Sequence, residues 1–288
     1  MDEKTVKAIN NLGVKTRYLI NTAKENLDEP IANECIIVGK EVINSVGIPD
    51  NLIILSEISD YQTPGLASII LKRLGLHSSI PFFNLQGTAC GSFPRALELS
   101  KNLSGRTLII ISGITSCLYQ PNIEKSFVDT MFGFLFGDAV AGISVINENN
   151  PKFYNVGKHK HLTNINEDYQ KASVYRNKNG FGLVSSKKLL PLILDYCDGV
   201  MSLMNINNLQ QYERVFLHTG SKKIIGVLQE RYKLTDMQLK PSRDILTEYG
   251  NTTGCSLPLV LNSEPKTINK SLLIGISMGF TVDMVELF

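Results

Sequence analysis

Residues 106–115, RTLIIISGIT, form a continuously apolar and largely β-branched run. Such a run is typical of a central strand that is covered on both faces. Sheets covered in this way occur mainly in α/β proteins, where helices connect parallel strands. The segment therefore predicts a sheet with helices on both sides, and the rest of the chain has to supply them.

Helical and strand patterns alternate on both sides of this run. Upstream, helices are predicted over 31–46, 63–76 and 91–103, and strands over 51–57 and 80–87. Downstream, strands are predicted over 139–146, 214–220 and, as a pair around a glycine turn, 271–288; helices are predicted over 186–206, 222–234, 241–251 and 256–262. This alternation predicts an α/β protein with a largely parallel sheet.

The segment 147–182 interrupts the alternation. It is polar, rich in Asn and Lys, and contains one weak strand pattern around 152–157. We interpret it as a loop-rich connection. The chain then divides into two α/β halves, residues 1–150 and 151–288.

Composition and charge argue against several classes of protein. The 288 residues are 43% hydrophobic and 19% charged, with a net charge of +2, which gives no bulk indication of nucleic-acid or anionic-membrane binding. The start, MDEKTVKAINN, has no secretory pattern, and no apolar run approaches the roughly 18 residues of a membrane span. We expect a cytoplasmic protein without nucleic-acid or membrane partners.

The cysteines are few and scattered. There are five, with no CxxC pair: Cys35, Cys90, Cys117, Cys197 and Cys255. An odd, dispersed set argues against a disulfide framework and against a zinc site. We therefore expect a reducing compartment and no bound metal.

Cys90 stands at the junction of a predicted strand and a predicted helix, among small residues in GTACGS. A helix N-terminus offers unpaired N–H groups and partial positive charge, and both favour the thiolate that acts as nucleophile. The alternative is an inert buried thiol, which is the usual state of a free cysteine. Position alone leaves both interpretations open.

Two further residues carry side chains that could take part in catalysis. His218 ends the predicted strand RVFLH, at the strand end where α/β proteins place ligand-handling groups, whereas His77, His159 and His161 lack that context. Asn251 lies in EYGNTTG, where a helix stops and restarts, and its amide could stabilise a developing oxyanion. A turn histidine and a turn asparagine bonded to its own backbone are the structural alternatives.

Several segments in order resemble the thiolase-fold condensing enzymes, namely chalcone-synthase-like (type III polyketide) synthases and ketoacyl synthase III. They are LGVKTRYL (12–19), TPGLASIILKRLGL (63–76), GTACGSFPRALELSKNL (87–103), FLFGDAVAGISV (134–145), FLHTGSKKIIGVLQERYKL (216–234), PSRDILTEYGNTTGCSLPLVL (241–261) and LLIGISMGFTVDMVEL (272–287). The resemblance implies a duplicated thiolase fold with αβαβα layers, and here the N-terminal half lacks its usual first strand. It also implies a dimer.

The resemblance implies a decarboxylative Claisen condensation. Cys90 would hold the acyl group from acyl-CoA or acyl carrier protein, and His218 and Asn251 would stabilise the enolate of a malonyl-type thioester. No cofactor is implied beyond the coenzyme A or phosphopantetheine of the substrate. In the segment 134–145, Phe136, Gly137 and Asp138 would be structural, with Asp138 bracing a turn.

The chain departs from the family pattern at several positions. Thr219-Gly220-Ser221 replaces Pro-Gly-Gly, Gly275-Ile276-Ser277-Met278-Gly279 replaces a Gly-Phe-Gly-Pro-Gly loop, and Gly113 replaces a Glu. The candidate substrate-binding residues are Ser221, Gly275, Ser277, Gly279, Lys15, Arg17 and Lys222. These changes question iterative polyketide extension but leave the Cys-His-Asn set complete.

Two alternatives to condensation remain. The acyl group on Cys90 could pass to an oxygen or nitrogen nucleophile. The chain could also be a non-catalytic or half-active subunit, forming a heteromer with a related condensing subunit in place of a homodimer. The short N-terminus favours the last alternative, and the complete residue set argues against it.

Overall fold

The computed structural model describes residues 2–20, 27–60, 63–116, 127–147, 154–163, 173–177, 180–184, 189–264, 270–277 and 281–288. Over these residues the helices are α1 (Glu3–Asn10), α2 (Asp28–Val46), α3 (Leu66–Arg73), α4 (Ser92–Lys101), α5 (Phe127–Leu135), α6 (Leu189–Met204), α7 (Lys222–Tyr232), α8 (Asp236–Tyr249) and α9 (Ser256–Asn262). The strands are β1 (Asn51–Ser56), β2 (Phe82–Leu85), β3 (Arg106–Gly113), β4 (Ala139–Ile146), β5 (Val156–Thr163), β6 (Ser173–Asn177), β7 (Gly180–Val184), β8 (Arg214–Leu217), β9 (Ser271–Ser277) and β10 (Thr281–Leu287). Short 3₁₀ turns, Ala89–Gly91 and Thr253–Cys255, precede α4 and α9.

The described strands form two four-stranded sheets and a separate hairpin. In the first sheet the order is β2-β1-β3-β4, with β1 parallel to β2 and β3, and β4 antiparallel to β3. In the second sheet the order is β5-β10-β9-β8, with β8 parallel to β9 and β10 antiparallel to both of its neighbours. Strands β6 and β7 pair as an antiparallel hairpin. β3 lies inside its sheet and is buried from Thr107 to Gly113, which confirms the predicted central strand.

Helices cover both faces of both sheets. α2 and α3 pack on the side of the first sheet that carries Leu52. α4 and α9 lie between the sheets, where Phe93 and Leu257 join one apolar cluster with Ile109 of β3 and Leu273 of β9. α6 and α7 cover the outer face of the second sheet. The described elements therefore form helix–sheet–helix–sheet–helix layers, as predicted, because each sheet buries both of its apolar faces.

Two predicted boundaries are wrong. The strand expected around 152–157 is β5, which begins at Val156 and runs to Thr163, and the connection assigned as loop also holds β6 and β7. The helix predicted from 241 begins at Asp236, because Thr235 and Gln238 form a capping box that satisfies the first free N–H groups. Pro241 lies inside this helix.

The two sheets differ at one edge. In the second sheet β5 pairs with β10 and forms the edge. In the first sheet β4 is itself the edge strand among the described residues. No described strand precedes β1 in the chain, as expected for the first half. None of the helices in the described ranges combines the length and apolarity needed to cross a bilayer.

Candidate active site

Cys90 lies in the 3₁₀ turn directly before α4, with only 5% of its surface exposed. The turn rests on β9. A Cβ added to Gly275 would lie 2.9 Å from Cα of Gly91 and 3.4 Å from the carbonyl oxygen of Cys90. Only glycine allows this approach of two backbones. Gly275, predicted to bind substrate, thus lies beneath the backbone of the Cys90 turn.

The environment of Cys90 opposes ionisation. Burial raises the pKa of the Cys90 thiol to about 12, and the carboxylate of Glu57 adds to the rise. Loss of hydration therefore opposes the thiolate stabilisation that the helix start was expected to supply. A nucleophile here needs a base that removes the proton as the thiol reacts.

Glu57 supports the loop that leads into Cys90. Its carboxylate accepts hydrogen bonds from the backbone N–H groups of Gly87, at 2.7 Å, and Thr88, at 3.1 Å. This role is not predictable from the sequence, because a single glutamate after a strand has no local signature. Glu57 therefore shapes the loop, and its charge adds to the rise in the pKa of the Cys90 thiol that burial causes.

His218 follows β8 immediately and is buried. Its backbone N–H donates to the carbonyl oxygen of Ile274 over 3.0 Å, so pairing with β9 continues one residue beyond β8. Ile274 directly precedes Gly275, which contacts the Cys90 turn. His218 and Cys90 therefore lie against consecutive residues of one strand.

The imidazole of His218 is neutral at physiological pH. Burial lowers its pKa to about 3. The buried Nδ1 atom has no hydrogen-bond partner among the described residues. A neutral imidazole carries one N–H donor and one bare nitrogen, so this ring can donate a hydrogen bond or accept a proton.

Asn251 lies in the turn between α8 and α9. Helix α8 ends at Tyr249, and Gly250 caps it with a φ of 73°, which favours glycine. The Asn251 side-chain oxygen accepts from the backbone N–H of Thr253 over 2.9 Å, so its amide NH₂ group points away from that turn. The turn asparagine bonds its own backbone, and it still has donors for a ligand.

The turn of Asn251 is tied to the segment that carries His218. The hydroxyl of Thr219 donates to the carbonyl oxygen of Gly250 over 3.0 Å, and it lies 2.8 Å from the hydroxyl of Ser256. Because Thr219 follows His218 and Gly250 precedes Asn251, this bond joins the two segments that carry the predicted residues. Thr219 was not singled out in the sequence.

Asp138 braces a turn, as predicted. It is buried, and its carboxylate accepts from the backbone N–H groups of Thr115 at 2.7 Å, Ser116 at 2.8 Å and Ile20 at 2.7 Å. Two residues earlier, Phe136 forms an isolated parallel bridge with Asn251. The Phe136–Asp138 segment therefore joins the end of β3 to the Asn251 turn.

Gly113 contacts the same turn from the first sheet. A Cβ at this position would lie 2.2 Å from the backbone oxygen of Thr252 and 2.7 Å from the side-chain oxygen of Thr253. No side chain fits there without a shift of the backbone. This close approach accounts for a glycine where the resembling synthases carry a Glu.

The remaining predicted binding residues lie at the start of α7 and in the N-terminal segment. Ser221 is the N-cap of α7 and accepts from the N–H of Ile224 over 3.3 Å. The exposed Lys222 follows it, and its backbone N–H donates to Leu12, so the N-terminal segment runs beside α7.

The two basic residues of the N-terminal segment differ in burial. Lys15 is exposed, and its backbone N–H donates to Thr247 of α8 over 2.8 Å. Arg17 is half-buried and stacks over the ring of Phe134. Lys15 and Lys222 are exposed, whereas Arg17 lies partly beneath the surface. Gly279 lies outside the described residues.

His159, His161 and Asp283 form a polar cluster between β5 and β10. Their ligand atoms lie within 4.8 Å of one another. The Asp283 carboxylate accepts from Nε of Arg95 at 2.8 Å and lies 3.2 Å from Nε2 of His159. The guanidinium already balances the charge of this buried carboxylate, so we interpret the cluster as an ion-pair network. The absence of a metal stays a prediction.

Comparisons with known proteins agree with this fold. No family model matches the chain. It is 27% identical over 248 residues to the beta-ketoacyl-[acyl-carrier-protein] synthase III of Acholeplasma laidlawii (strain PG-8A), covering 81% of this chain and 73% of that protein. It superimposes with a TM-score of 0.84 on the C-terminal type III polyketide synthase domain of Steely1, a type I/III hybrid from Dictyostelium. That match covers 99% of this chain and 89% of the other at 14% identity.

The fold is therefore that of the thiolase-fold condensing enzymes. The chain resembles ketoacyl synthase III in sequence and the type III polyketide synthases in structure, as the sequence motifs predicted. The structure brings Cys90, His218 and Asn251 together through the residues next to them. Their chemical roles stay predictions.

Proposed function

We propose that this chain is an acyltransferase in which Cys90 receives an acyl group from acyl-CoA or acyl carrier protein and then extends it by decarboxylative condensation. One observation carries the proposal. The Cys90 turn and His218 lie against consecutive residues of β9, and Thr219 ties His218 to the turn of Asn251. These contacts between neighbouring residues support a common site for the three residues.

In acyl loading, the protonation states of Cys90 and His218 decide which group gives up a proton and which accepts it. The Cys90 thiol is protonated because burial raises its pKa, and His218 is neutral because burial lowers its pKa. As the sulfur attacks the thioester carbonyl, its proton passes to the bare nitrogen of His218. The carbon–sulfur bond to the donor then breaks, and the released thiolate takes that proton back. Cys90 ends as a thioester and His218 is neutral again.

Condensation uses the side chains of His218 and Asn251 as hydrogen-bond donors. Loss of CO₂ from a malonyl-type thioester leaves an electron pair that forms an enolate. The N–H of neutral His218 and the NH₂ of Asn251 would stabilise the enolate oxygen, and their fixed orientation removes the cost of reorganisation. The enolate carbon attacks the Cys90 thioester, a carbon–carbon bond forms, and the Cys90 sulfur leaves as a thiolate, which takes up a proton from solvent and returns to the thiol. The steps require neither metal nor redox cofactor.

Acyl delivery is proposed to use the basic surface of Lys15, Arg17 and Lys222, which suits the phosphates of coenzyme A or an acidic carrier protein. We further propose a cytoplasmic homodimer, which a size measurement in solution tests. A chain that loads acyl groups only with a related subunit present would replace the homodimer by a heteromer.

The deciding experiment is intact-mass measurement after incubation with a panel of acyl-CoAs and acyl carrier thioesters. The wild type should gain the acyl mass, Cys90→Ala should not, and Cys197→Ala, which changes a buried thiol on α6, should behave as the wild type. Malonyl-CoA added to the loaded protein should give a ketide product. Loading without ketide indicates transfer to another nucleophile, and no loading under any condition contradicts an enzymatic function.

A further inference from the structure

The hydroxyl of Ser277 closes a hydrogen-bonded ring with the backbone on both sides of Cys90. It accepts from the N–H of Gly91 over 2.6 Å and donates to the carbonyl oxygen of Thr88 over 2.6 Å. The same N–H of Gly91 also donates to Thr88 over 3.0 Å. One side chain at the end of β9 thus holds two parts of the turn that presents Cys90.

Ser277 has little capacity left for a ligand. It is 3% exposed, and a serine hydroxyl has a single O–H, which here is donated to Thr88. The substrate-binding role expected from the sequence needs a donor or an exposed face. In the structure the Ser277 hydroxyl instead bonds the backbone of the Cys90 turn.

A second contact anchors the helix that follows Cys90. Arg95 of α4 donates from Nε to the fully buried carboxylate of Asp283 over 2.8 Å. A Cβ added to Gly91 would lie 2.7 Å from the side-chain oxygens of both Asp283 and Ser277. The turn and the first part of α4 therefore lie directly on β9 and β10 of the second sheet.

We propose that Ser277 is a positioning residue that fixes the Cys90 turn against β9, and that it does not bind substrate. The proposal rests on the proposed role of Cys90 as the nucleophile. Ser277 stands where the Gly-Phe-Gly-Pro-Gly loop pattern of the resembling synthases has a glycine. Without it, Gly91 keeps only its longer bond to Thr88, and the Cys90 sulfur samples more orientations.

The first test measures the alkylation of Cys90 by iodoacetamide with peptide-level mass spectrometry, which needs no acyl donor. Ser277→Ala should raise the limiting rate about tenfold, because a loosened turn exposes the buried sulfur to the reagent more often, and Ser277→Thr should restore the slow rate. The matched control is Ser271→Ala, because Ser271 is a buried serine of the same strand whose hydroxyl has no hydrogen-bond partner among the described residues. An unchanged rate in Ser277→Ala overturns the proposal.

If Ser277→Ala does not fold, the pair Ser277→Thr and Ser277→Val decides, since the two side chains have the same shape and differ in the hydroxyl. Equal alkylation rates in this pair contradict the proposal. A faster rate in Ser277→Val supports it.

The second test separates positioning from substrate binding. With an acyl donor that loads the wild type, Ser277→Ala should lower the maximal acylation rate and leave the half-saturating donor concentration unchanged. A raised half-saturating concentration at full maximal rate would return Ser277 to substrate binding. If no donor loads the wild type, the proposed function fails, and the alkylation rates still decide the positioning role.

Discussion

The hydroxyl of Thr219 donates a hydrogen bond to the carbonyl oxygen of Gly250, which lies 31 residues further along the chain. Thr219 is fully buried and also contacts the hydroxyl of Ser256. The bond joins the neighbour of His218 to the neighbour of Asn251. The geometry of the two proposed enolate-binding side chains therefore depends on a residue that performs no chemistry itself.

Replacing Thr219 by valine keeps the shape of the side chain and removes this bond. We expect a loss of about 1–3 kcal/mol in the free energy of unfolding, because the Gly250 carbonyl and the Ser256 hydroxyl lose a partner. Decarboxylation of malonyl-CoA should fall more than acyl loading of Cys90, which does not need Asn251. Urea unfolding and CO₂ release check the two effects. Thr219→Ser should restore both, and equal losses in the two half-reactions would contradict the expectation.

A methyl group at Gly113 should strain the contact between the first sheet and the Asn251 turn. Gly113→Ala places its Cβ 2.2 Å from the backbone oxygen of Thr252, and we expect a cost of about 1–3 kcal/mol from overpacking. Gly226→Ala is the control, because nothing lies within 4 Å of a Cβ at this helical position and alanine favours the helix. Denaturant midpoints should move in opposite directions. A neutral Gly113→Ala would show that the turn can shift freely.

The buried His218 makes stability depend on pH. Its pKa is about 3 in the folded chain against about 6.5 when unfolded. The unfolded chain therefore binds a proton that folded His218 does not, and stability is lost as the pH falls below about 6.5. Between pH 7 and pH 5 this amounts to about 2 kcal/mol.

The variant His218→Gln should lose correspondingly less stability over this step, as measured by urea unfolding at both pH values. His77→Gln, at an exposed histidine, controls for the loss of one imidazole. The same pH dependence in wild type and His218→Gln would mean that the ring is not neutral and buried in solution.

The ion pair of Arg95 and Asp283 should stabilise the chain, because Asp283 is fully buried. Arg95→Met leaves the carboxylate without its guanidinium, and we expect a loss of about 3–5 kcal/mol in unfolding free energy. Adding Asp283→Asn should recover part of this loss, since the buried charge is then gone. Arg73→Met breaks the more exposed pair with Glu29 and should cost less. A double mutant no more stable than Arg95→Met would contradict this account.

Most helices and strands were predictable because their signals are local. The apolar run over 106–115 became the buried interior strand β3, and the pattern over 31–46 became α2. The start of α8 was misplaced, because the capping box of Thr235 and Gln238 precedes the segment read as helical. β5 was displaced because a half-exposed strand has a weak apolar pattern.

The sequence by itself determined most of the helices and strands and identified Cys90, His218 and Asn251 as candidates. Only the tertiary structure decided what surrounds them. Burial sets the protonation states of Cys90 and His218, and the partners of the Cys90 turn come from β9, 186 residues away in the chain. Hydration and hydrogen bonding depend on groups that meet only after folding, so no local pattern contains them.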